Sequence, residues 1–277
     1  MPLRPLRAAD LPVLQALAVG CGWPNRLEDW TQMAELGEGL VAEECGVVVG
    51  TAMAWRYGSD RAAIGLIGVA ASNRGRGIGT RLVADLIADL GGRAIEACAC
   101  PATLPLFRRL GFASGGLVRR HRGATFAARL VPLERGVRLR PIGRSDPDSL
   151  VALDRAATGA DRGTVLRAIL PRAFGVVLDR ERAAEGFALM RRFGHGHVIG
   201  PVVAPDPTSA RALISHFLAA NPGQFMRIDV PEDTGLSPWL DQLGLIGAEP
   251  VRHMLLGEPP QPAGPGRAFA MIDQEFG

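Results

Sequence analysis

Residues Asn73–Leu82 read NRGRGIGTRL, and one serine separates them from the apolar run Ala62–Ala71, AAIGLIGVAA. The apolar run predicts a buried strand, and the spacing of apolar residues over Ile78–Leu90 predicts a helix. Glycines in the connecting turn let several backbone N–H groups face one anion, and the start of a helix adds positive potential there. With the guanidinium groups of Arg74 and Arg76 alongside, this stretch predicts a pyrophosphate site.

The spacing of the glycines narrows the choice of ligand. The sequence has no G-x-x-x-x-G-K-[ST], and Gly75, Gly77 and Gly79 do not fit G-x-G-x-x-G. Read from Arg74, the turn fits R-x-x-G-x-G, which resembles the coenzyme A pyrophosphate loop of the GCN5-related N-acetyltransferase (GNAT) superfamily. Taken alone, the motif has an alternative interpretation, a tight strand–helix turn with solvated arginines.

Other segments resemble the same family in the same order along the chain. Leu3–Leu11 resembles its opening strand and first turn, and Gly46–Ala54 resembles its central hairpin strand. Pro105–Phe112 resembles its late helix, which ends in Gly-Phe, and Cys21–Trp30 resembles the second-helix region of a bacterial subgroup. Together with the glycine-rich turn, these segments identify the chain as a member of the GNAT superfamily.

Composition sets broad limits on the class of protein. The chain has 277 residues, 47% of them hydrophobic and 21% charged, so it can bury a substantial core in one or two domains. No apolar run reaches the ~18 residues of a membrane span, and the N-terminus resembles no signal peptide, so we expect a cytoplasmic protein without a membrane partner. The net charge of +3 argues against nucleic acid. The densest basic run, Arg119–Arg122, is expected at a solvated hairpin end, with contact to the 3′-phosphate of coenzyme A as a lesser alternative.

Cysteine and histidine spacing gives little support for a metal site. Cys98 and Cys100 form a C-x-C without a second pair, and His195 and His197 flank a glycine at an expected exposed hairpin tip. We therefore predict no metal, and buried reduced thiols at all four cysteines. These are Cys21, Cys45, Cys98 and Cys100.

An internal repeat divides the chain. Leu3–Leu6 (LRPL) recurs 136 residues later as Leu139–Ile142 (LRPI), and later segments recur at offsets of 136, 133 and 132 residues. Near-constant spacing of this kind indicates a duplicated domain. We expect domains at residues 1–133 and 137–277. The family resemblance implies that each is an α+β unit whose mixed, mostly antiparallel sheet is flanked by helices and ends in a β-hairpin.

The second copy lacks the glycine-rich turn. Pro205–Ala210 (PDPTSA) stands in its place, where Asp206 would repel a phosphate and Thr208 or Ser209 is expected to cap the following helix. We therefore predict one coenzyme A per chain, in the first domain. The second domain is expected to be a degenerate GNAT-like unit that shapes the acceptor cleft, with Arg267–Ile272 as its closing strand.

The resemblance also implies a task for each part of the first domain. In the family, an amine attacks the thioester of acetyl-CoA directly in a ternary complex, so acetyl-CoA is the expected co-substrate. The strand end Leu66–Ala70 is expected to pair with the pantetheine arm and to present one N–H to the thioester oxygen. Gly65 and Gly68 predict a bulge or close ligand approach there, with simple packing as the alternative. The residues expected to contact coenzyme A are Ile67, Val69, Arg74, Gly75, Arg76, Gly77, Ile78, Gly79, Thr80 and Phe107.

The groups that would transfer protons depart from the family pattern. Phe107 stands where these enzymes often have a tyrosine that protonates the leaving thiolate, and a phenyl ring donates no proton. Tyr57, the only tyrosine, and Asp60 are the candidate catalytic residues. Glu28 and Asp29 are further candidate bases. The carboxylates have an alternative role as solvated or capping groups.

Tryptophans complete the expected acceptor cleft. Trp23, Trp30 and Trp55 are predicted to line it, which suits an apolar or cationic acceptor, although two or more could belong to the core. The sequence thus predicts an acetyl-CoA-dependent N-acetyltransferase for a small-molecule amine. The alternative is a non-catalytic acyl-CoA-binding or regulatory protein, suggested by Phe107 and the missing base. Acceptor identity, acyl-chain preference and oligomeric state do not follow from the sequence.

Overall fold

The order of helices and strands is nearly the same in the two halves of the chain. The computed structural model describes residues 1–126, 128–258 and 261–277. The first half contains β1 (Leu3–Pro5), α1 (Leu11–Gly20), α2 (Leu27–Leu36), β2 (Glu38–Glu44), β3 (Val47–Tyr57), β4 (Arg61–Val69), α3 (Ile78–Leu90), β5 (Ala94–Ala99), α4 (Leu104–Arg109) and β6 (Ala113–Ala124). The second half contains β7 (Val137–Pro141), α5 (Pro147–Thr158), α6 (Gly163–Ile169), β8 (Ala173–Arg180), β9 (Ala183–Phe193), β10 (Gly196–Ala204), α7 (Pro207–Ala220), β11 (Phe225–Pro231), α8 (Ser237–Gln242), β12 (Ile246–Gly247), β13 (Val251–Leu256) and β14 (Arg267–Ala270).

Helix α3 has the bounds that its apolar spacing predicts. Its buried face carries Leu82, Val83 and Leu86, which pack against the sheet. Gly77 precedes it with φ +77° and Gly91 follows it with φ +62°. Both values lie in the left-handed region that favours glycine, so the two glycines define where the helix begins and ends.

The strands form one continuous mixed sheet. Its order is β1-β2-β3-β4-β5-β13-β6-β11-β10-β9-β8-β7, and β12 and β14 pair with β6 and β10. Among the described strands, only the β4–β5 and β10–β11 pairs are parallel. The predicted α+β class with a mostly antiparallel sheet is therefore confirmed.

The two halves exchange a strand at the centre of this sheet. Strand β13 of the second half lies between β5 and β6, and β6 of the first half pairs with β11. The expectation that each half ends in its own hairpin is wrong. After Ala124 the described chain forms no strand until Val137, so the position beside β5 is taken by β13.

The basic run in β6 lies inside the sheet and not at a hairpin end, which corrects the prediction. Arg119 pairs with Glu232, and Arg120 donates to Asp229 at 3.0 Å. His121 is fully buried. These side chains contact the second half, because β6 pairs with β11 at these residues.

A shared hydrophobic core joins the halves. Trp55 and Tyr57 of the first half lie in one buried cluster with Phe187 and Phe193 of the second and with Phe276 near the end of the chain. Two further clusters lie on the outer faces, beneath α3 and beneath α7. Full burial of one such side chain contributes about 1.5–3 kcal/mol. The inner cluster therefore holds the two halves together as one unit.

An arginine of the first strand binds two carboxylates in each half, and the three positions recur 136 residues apart. They are Arg4, Asp10 and Glu43 in the first half, and Arg140, Asp146 and Asp179 in the second. The contacts measure 2.6–2.8 Å. Each arginine thus ties the first strand to the turn that follows it and to a neighbouring strand.

The thiol prediction is partly wrong, because Cys45 and Cys100 are exposed. All four cysteines are free. His195 lies in the turn between β9 and β10, as expected, and His197 lies just after it in β10. Within the described ranges, no cluster of three or more His, Cys, Asp or Glu side chains could hold a metal ion. The helices of those ranges include none that is long and apolar enough to cross a membrane.

Candidate functional site

A cleft opens where β4 and β5 diverge. The two strands pair in parallel only over Arg61–Ala63 and Ala94–Glu96. Beyond this point their facing backbone groups no longer bond each other, so they are free to bind an extended ligand. The cleft measures about 610 Å³, which suits a small-molecule or cofactor site. Eight of the ten residues predicted to contact coenzyme A line it: Ile67, Val69, Arg74, Gly75, Gly77, Ile78, Gly79 and Thr80.

The glycine-rich turn forms the mouth of this cleft. Gly75 and Gly77 both have φ +77°, and a Cβ built on either would meet no atom within 4 Å. The amides of Ile78, Gly79 and Thr80 begin α3, so they have no acceptor within the helix. These N–H groups and the helix dipole form a cradle for an anion.

The two arginines of the turn have different surroundings. Arg74 lines the cleft, and its Nε donates to the carbonyl of Val69 at 3.0 Å, which holds the side chain at the cleft edge. Arg76 lies outside the cleft and pairs with Glu44 at 2.6 Å. Hydrogen bonds from Arg76 and Asn73 lower the pKa of Glu44. The expected role of Arg76 in holding coenzyme A is therefore corrected: its charge is already paired at the end of β2.

A second cation at the cleft was missed from the sequence. Arg109, at the end of α4, lines it opposite the turn, together with Cys100, Thr103 and Leu106. Cys21 contributes from the end of α1. The sequence places Arg109 in the last turn of a helix that is matched to the family. No local sequence feature, however, shows which way its side chain points.

Strand β4 carries a bulge beside the cleft. Leu66 and Ile67 lie opposite the single residue Ala52 of β3, and Leu66 has φ +52°. A non-glycine residue in this region stores about 1–3 kcal/mol of strain, and the bulge releases a backbone group from the ladder. The predicted bulge is thus present, with Leu66 at its centre. Gly65 and Gly68 flank it in close-packed positions: a Cβ would lie 3.2 Å from Trp55 and 2.6 Å from Leu17, respectively, so these side chains would have to shift.

Phe107 does not reach the cleft. It is 1% exposed and packs edge-on against Phe112, with 5.0 Å between ring centroids, in the core beneath α3. Its neighbour Leu106 lines the cleft instead. The prediction that Phe107 contacts coenzyme A is corrected, because the ring lies on the inner face of the short helix α4.

The two candidate catalytic residues also lie away from this cleft. Tyr57 is fully buried and its hydroxyl donates to the carbonyl of Phe276. Burial and the charge of Glu96 raise the pKa of Tyr57 well above its usual value. Asp60 is exposed in the turn before β4, at the end of the strand opposite the glycine-rich turn, roughly 30 Å away at about 3.3 Å per residue.

The carboxylates of α2 have structural surroundings. Asp29 pairs with Arg26 at 2.6 Å and accepts the amide of Gly194 from the second half at 2.9 Å. Glu28 is exposed in the first turn of the helix. Neither lines the cleft, so the structure brings neither of these two carboxylates to it.

One of the three tryptophans predicted for the acceptor cleft lines the cleft between β4 and β5 instead. Trp23 does so beside Gly68. Trp55 is fully buried, with its Nε1 donating to the carbonyl of Met33 at 3.0 Å. Trp30 is also fully buried, and its Nε1 has no acceptor among the described residues. Trp30 and Trp55 are therefore core residues, which corrects their predicted place at the cleft surface.

In the second half, the position equivalent to the glycine-rich turn leaves no open helix N-terminus. Residues 205 and 206 alone connect β10 with α7, whereas residues 70–77 connect β4 with α3. Asp206 caps α7 by accepting the amides of Thr208 and Ser209 at 2.8 and 2.9 Å. The predicted cap, Thr208 or Ser209, is therefore wrong. The carboxylate of Asp206 takes the place that an anionic ligand would occupy.

The space between β10 and β11, where these two strands diverge, is also filled. Strand β14 pairs with β10 over Val202–Ala204, after β10 has left β11. The amide of Met271 then donates to the carbonyl of Asp229 in β11 at 3.0 Å. The chain itself thus satisfies the backbone edges that the first half leaves open.

Comparison with known proteins agrees with this duplicated arrangement. The model of the acetyltransferase (GNAT) family matches residues 15–112, and that of the acetyltransferase (GNAT) domain matches residues 150–270. The uncharacterized N-acetyltransferase YitH of Bacillus subtilis (strain 168) is 28% identical over 218 residues, which is 77% of this chain and 76% of YitH.

Solved structures share the fold at low sequence identity. A Pyrococcus horikoshii protein superimposes with a TM-score of 0.79 at 22% identity, covering 100% of this chain and 95% of its own. A GCN5-related N-acetyltransferase from Sphaerobacter thermophilus gives 0.64 at 14% identity, covering 92% of this chain and 94% of its own. With two family matches in succession and this shared fold, the chain belongs to the GNAT acetyltransferase superfamily and carries two GNAT domains in tandem.

Proposed function

We propose that this protein is an acetyl-CoA-dependent N-acetyltransferase that acetylates the amine of a small molecule by direct attack on the thioester. The observation that supports it is the cleft between β4 and β5, which combines unpaired amides of the glycine-rich turn, a helix N-terminus and a strand bulge. The second half also has a bulge, at Gly200 and Pro201 of β10, but Asp206 caps its helix and β14 fills its strand divergence.

The chain's own residues have separate tasks in this proposal. The amides from Gly75 to Thr80 and the guanidinium groups of Arg74 and Arg109 hold the pyrophosphate. The free edge of β4 around Ile67 pairs with the pantetheine arm. A backbone N–H at the bulge stabilises negative charge on the thioester oxygen as the amine attacks.

The division of labour follows the two proposed domains, residues 1–133 and 137–277. The first supplies the whole coenzyme A cleft. The second binds no coenzyme A and instead contributes β13 and the tail after β14, which cover the inner face of the first half beside Glu96. Loss of the second half is therefore expected to affect the acceptor site and the stability of the first half together.

Two measurements test this proposal. Isothermal titration with acetyl-CoA should give one site per chain. A panel of amines spanning amino acids, amino sugars and arylalkylamines, followed by release of free thiol from acetyl-CoA, should reveal acceptor-dependent turnover. Thiol release that no amine of the panel stimulates would contradict the transferase proposal.

A binding protein without catalysis is the second candidate. It is favoured by Phe107, buried where family enzymes often have an acid, and by the absence of a carboxylate among the described residues lining the coenzyme A cleft. Tight binding of acetyl-CoA with no thiol release across the panel would support it. Because CoA is a tolerable leaving group with a thiol pKa of about 8.5, the missing acid alone does not decide between the two.

A further inference from the structure

A second cavity lies between the two halves, on the inner side of the sheet. It measures about 510 Å³, within the range of about 300–1,000 Å³ for small-molecule sites. Its walls are mainly apolar and come from both halves. They include Leu117, Val118, Ala157, Ala160 and Met271.

A histidine and a carboxylate meet at the wall of this cavity. His253 Nε2 lies 3.1 Å from Glu96 Oε2, and Arg61 donates to the same oxygen at 2.6 Å. His253 comes from β13 and Glu96 from β5. The register places His253 opposite Cys98, and the next inward-facing residue of β5 is Glu96, which a long side chain can reach diagonally. The exchanged strand therefore brings this histidine to the first half.

Glu96 is held ionised in this setting. Burial pushes its pKa upward, but the hydrogen bond with His253 and the charge of Arg61 outweigh this and lower the pKa to about 2. An ionised carboxylate at Nε2 favours the tautomer in which Nε2 carries the proton, which leaves Nδ1 to accept one. Among the described residues, no hydrogen-bond partner lies at Nδ1. Arg252, the neighbouring arginine on β13, donates to the carbonyl of Gly115 at 3.2 Å.

The cavity reaches the point at which β4 and β5 begin to diverge. Pairing of β4 with β5 stops at Ala63 and Glu96, and Glu96 also lines the cavity. An arm that enters at the glycine-rich turn and follows β4 past the bulge at Leu66 runs toward this point.

The ionic groups of the cavity wall suit an amine. Each arginine that lines the cavity has a carboxylate partner, so the wall presents no unpaired cation to repel an ammonium group. The pairs are Arg61–Glu96, Arg162–Asp154 and Arg267–Asp233. The remaining surface is apolar, which suits a hydrocarbon body.

From these observations we infer that the cavity between the halves binds the acceptor, a small primary amine with an apolar body, and that His253 removes its proton while Glu96 positions the imidazole. This inference rests on the proposed transferase function. It assigns the base that the coenzyme A cleft lacks, and it gives the second half a residue in the reaction.

His253 takes one proton from the ammonium group, and the freed lone pair of nitrogen forms the bond to the thioester carbonyl carbon. The carbon–sulfur bond breaks and its electron pair leaves on the CoA sulfur. The second proton of the nitrogen passes to that thiolate, which leaves as CoA thiol. His253 returns its proton to solvent, so one amide, one thiol and one proton are produced per ammonium group acetylated.

The first test replaces the base. With 2-phenylethylamine as the probe acceptor, His253→Gln should lower kcat/KM by about 100-fold or more, because a positioned base contributes ~10²–10⁴-fold. Its affinity for acetyl-CoA should stay within about twofold of the parent, and the acid limb of the parent's pH–rate profile should be lost. His216→Gln is the matched control, since His216 is a similarly half-buried histidine on α7 and does not line the cavity.

The second test fills the cavity without removing any polar group. Gly116 lines it, and a Cβ built there meets no atom within 4 Å, so Gly116→Phe adds a ring in open space. The KM for 2-phenylethylamine should rise at least tenfold with unchanged acetyl-CoA affinity. Ala113→Phe, at the exposed start of the same strand and outside the cavity, should change neither.

The outcomes separate this inference from the function on which it rests. If the parent turns over no amine of the panel, the transferase proposal fails. If the parent acetylates amines but His253→Gln retains full kcat/KM and its acid limb, or if Gly116→Phe leaves the acceptor KM unchanged, the transferase stands and the inference is overturned. Transfer to amino sugars with none to 2-phenylethylamine overturns the assigned acceptor class.

Discussion

The two halves of this chain keep the same tethers and differ at the ligand site. The arginine that binds two carboxylates recurs as Arg4 and Arg140, with partners at equivalent positions. Between the central strand and the following helix, however, the first half has the glycine-rich turn of residues 70–77 and the second has two residues. The tethers and the connection before the helix therefore vary independently, because different residues maintain the two.

The helix N-termini show how the closure is achieved. Helix α3 begins after Gly77 and leaves its first amides available to a ligand. Helix α7 begins after Asp206, whose side chain already accepts two of them. An internal carboxylate thus satisfies these amides in the second half, whereas in the first half they are left for the proposed ligand.

The largest expected effect is loss of the open site. Gly77→Glu adds a negative charge where the anion would bind, and titration should show no acetyl-CoA binding. Gly91→Glu is the matched control at the other end of α3, because it introduces a similar left-handed strain of about 1–2 kcal/mol without approaching the cleft. If a folded Gly77→Glu protein kept its affinity for acetyl-CoA, the proposal that the first half binds the cofactor at this turn would be contradicted.

A smaller effect should separate the two arginines of the turn. Arg74→Ala removes a cation at the cleft and should weaken acetyl-CoA affinity about tenfold or more, since a hydrogen bond to a charged group contributes about 1.5–3 kcal/mol. Arg76→Ala should change the affinity less than threefold, because that side chain pairs with Glu44. The reverse ranking in calorimetry would show that Arg76 turns into the cleft when ligand binds.

The capped helix provides the converse experiment. Asp206→Ala should lower the free energy of unfolding by about 0.5–2 kcal/mol, as loss of an N-cap does. It should leave acetyl-CoA stoichiometry at one, because β14 still fills the divergence of β10 and β11. Denaturant unfolding and calorimetry on the same sample measure both, and a stoichiometry of two would show that the carboxylate alone closes the second site.

The smallest effect concerns the shared tethers. Hydrogen bonds from Arg4 and Arg140 lower the pKa of Asp10 and Asp146, so these carboxylates stabilise the fold above their unfolded pKa and lose this contribution as pH falls below it. Arg4→Gln and Arg140→Gln should each make thermal stability less sensitive to pH below about 4, the unfolded pKa of an aspartate. A strong effect in one half only would show that the tethers are not equivalent.

Local features of the fold were predictable from sequence, and side-chain direction was not. The bounds of α3 follow from apolar spacing between two glycines, and the turn follows from its glycines. Whether Arg76 points into the cleft depends on Glu44, which is distant in sequence. Phe107 marks a matched helix, but its inward orientation depends on packing against Phe112 and the sheet.

Strand exchange was hidden for a related reason. Strands β6 and β13 occupy equivalent positions of the repeat, so each carries a pattern that suits pairing with the β5 equivalent of either half. The local sequence of each strand therefore does not distinguish pairing within a half from pairing between the halves. Only contacts between the halves, such as Arg120 with Asp229 across β6 and β11, select the exchanged form.

The exchange also affects the order in which the protein is made and folds. The first half can complete its sheet only when β13 is available, and the register joins Cys98 to His253 across more than half of the chain. Closing so long a loop before its contacts form slows folding, and the edge of β5 stays unpaired until then. During synthesis the glycine-rich turn therefore leaves the ribosome well before β13, the strand that completes the sheet beside β5. A nascent first half would need protection from pairing with another copy of itself.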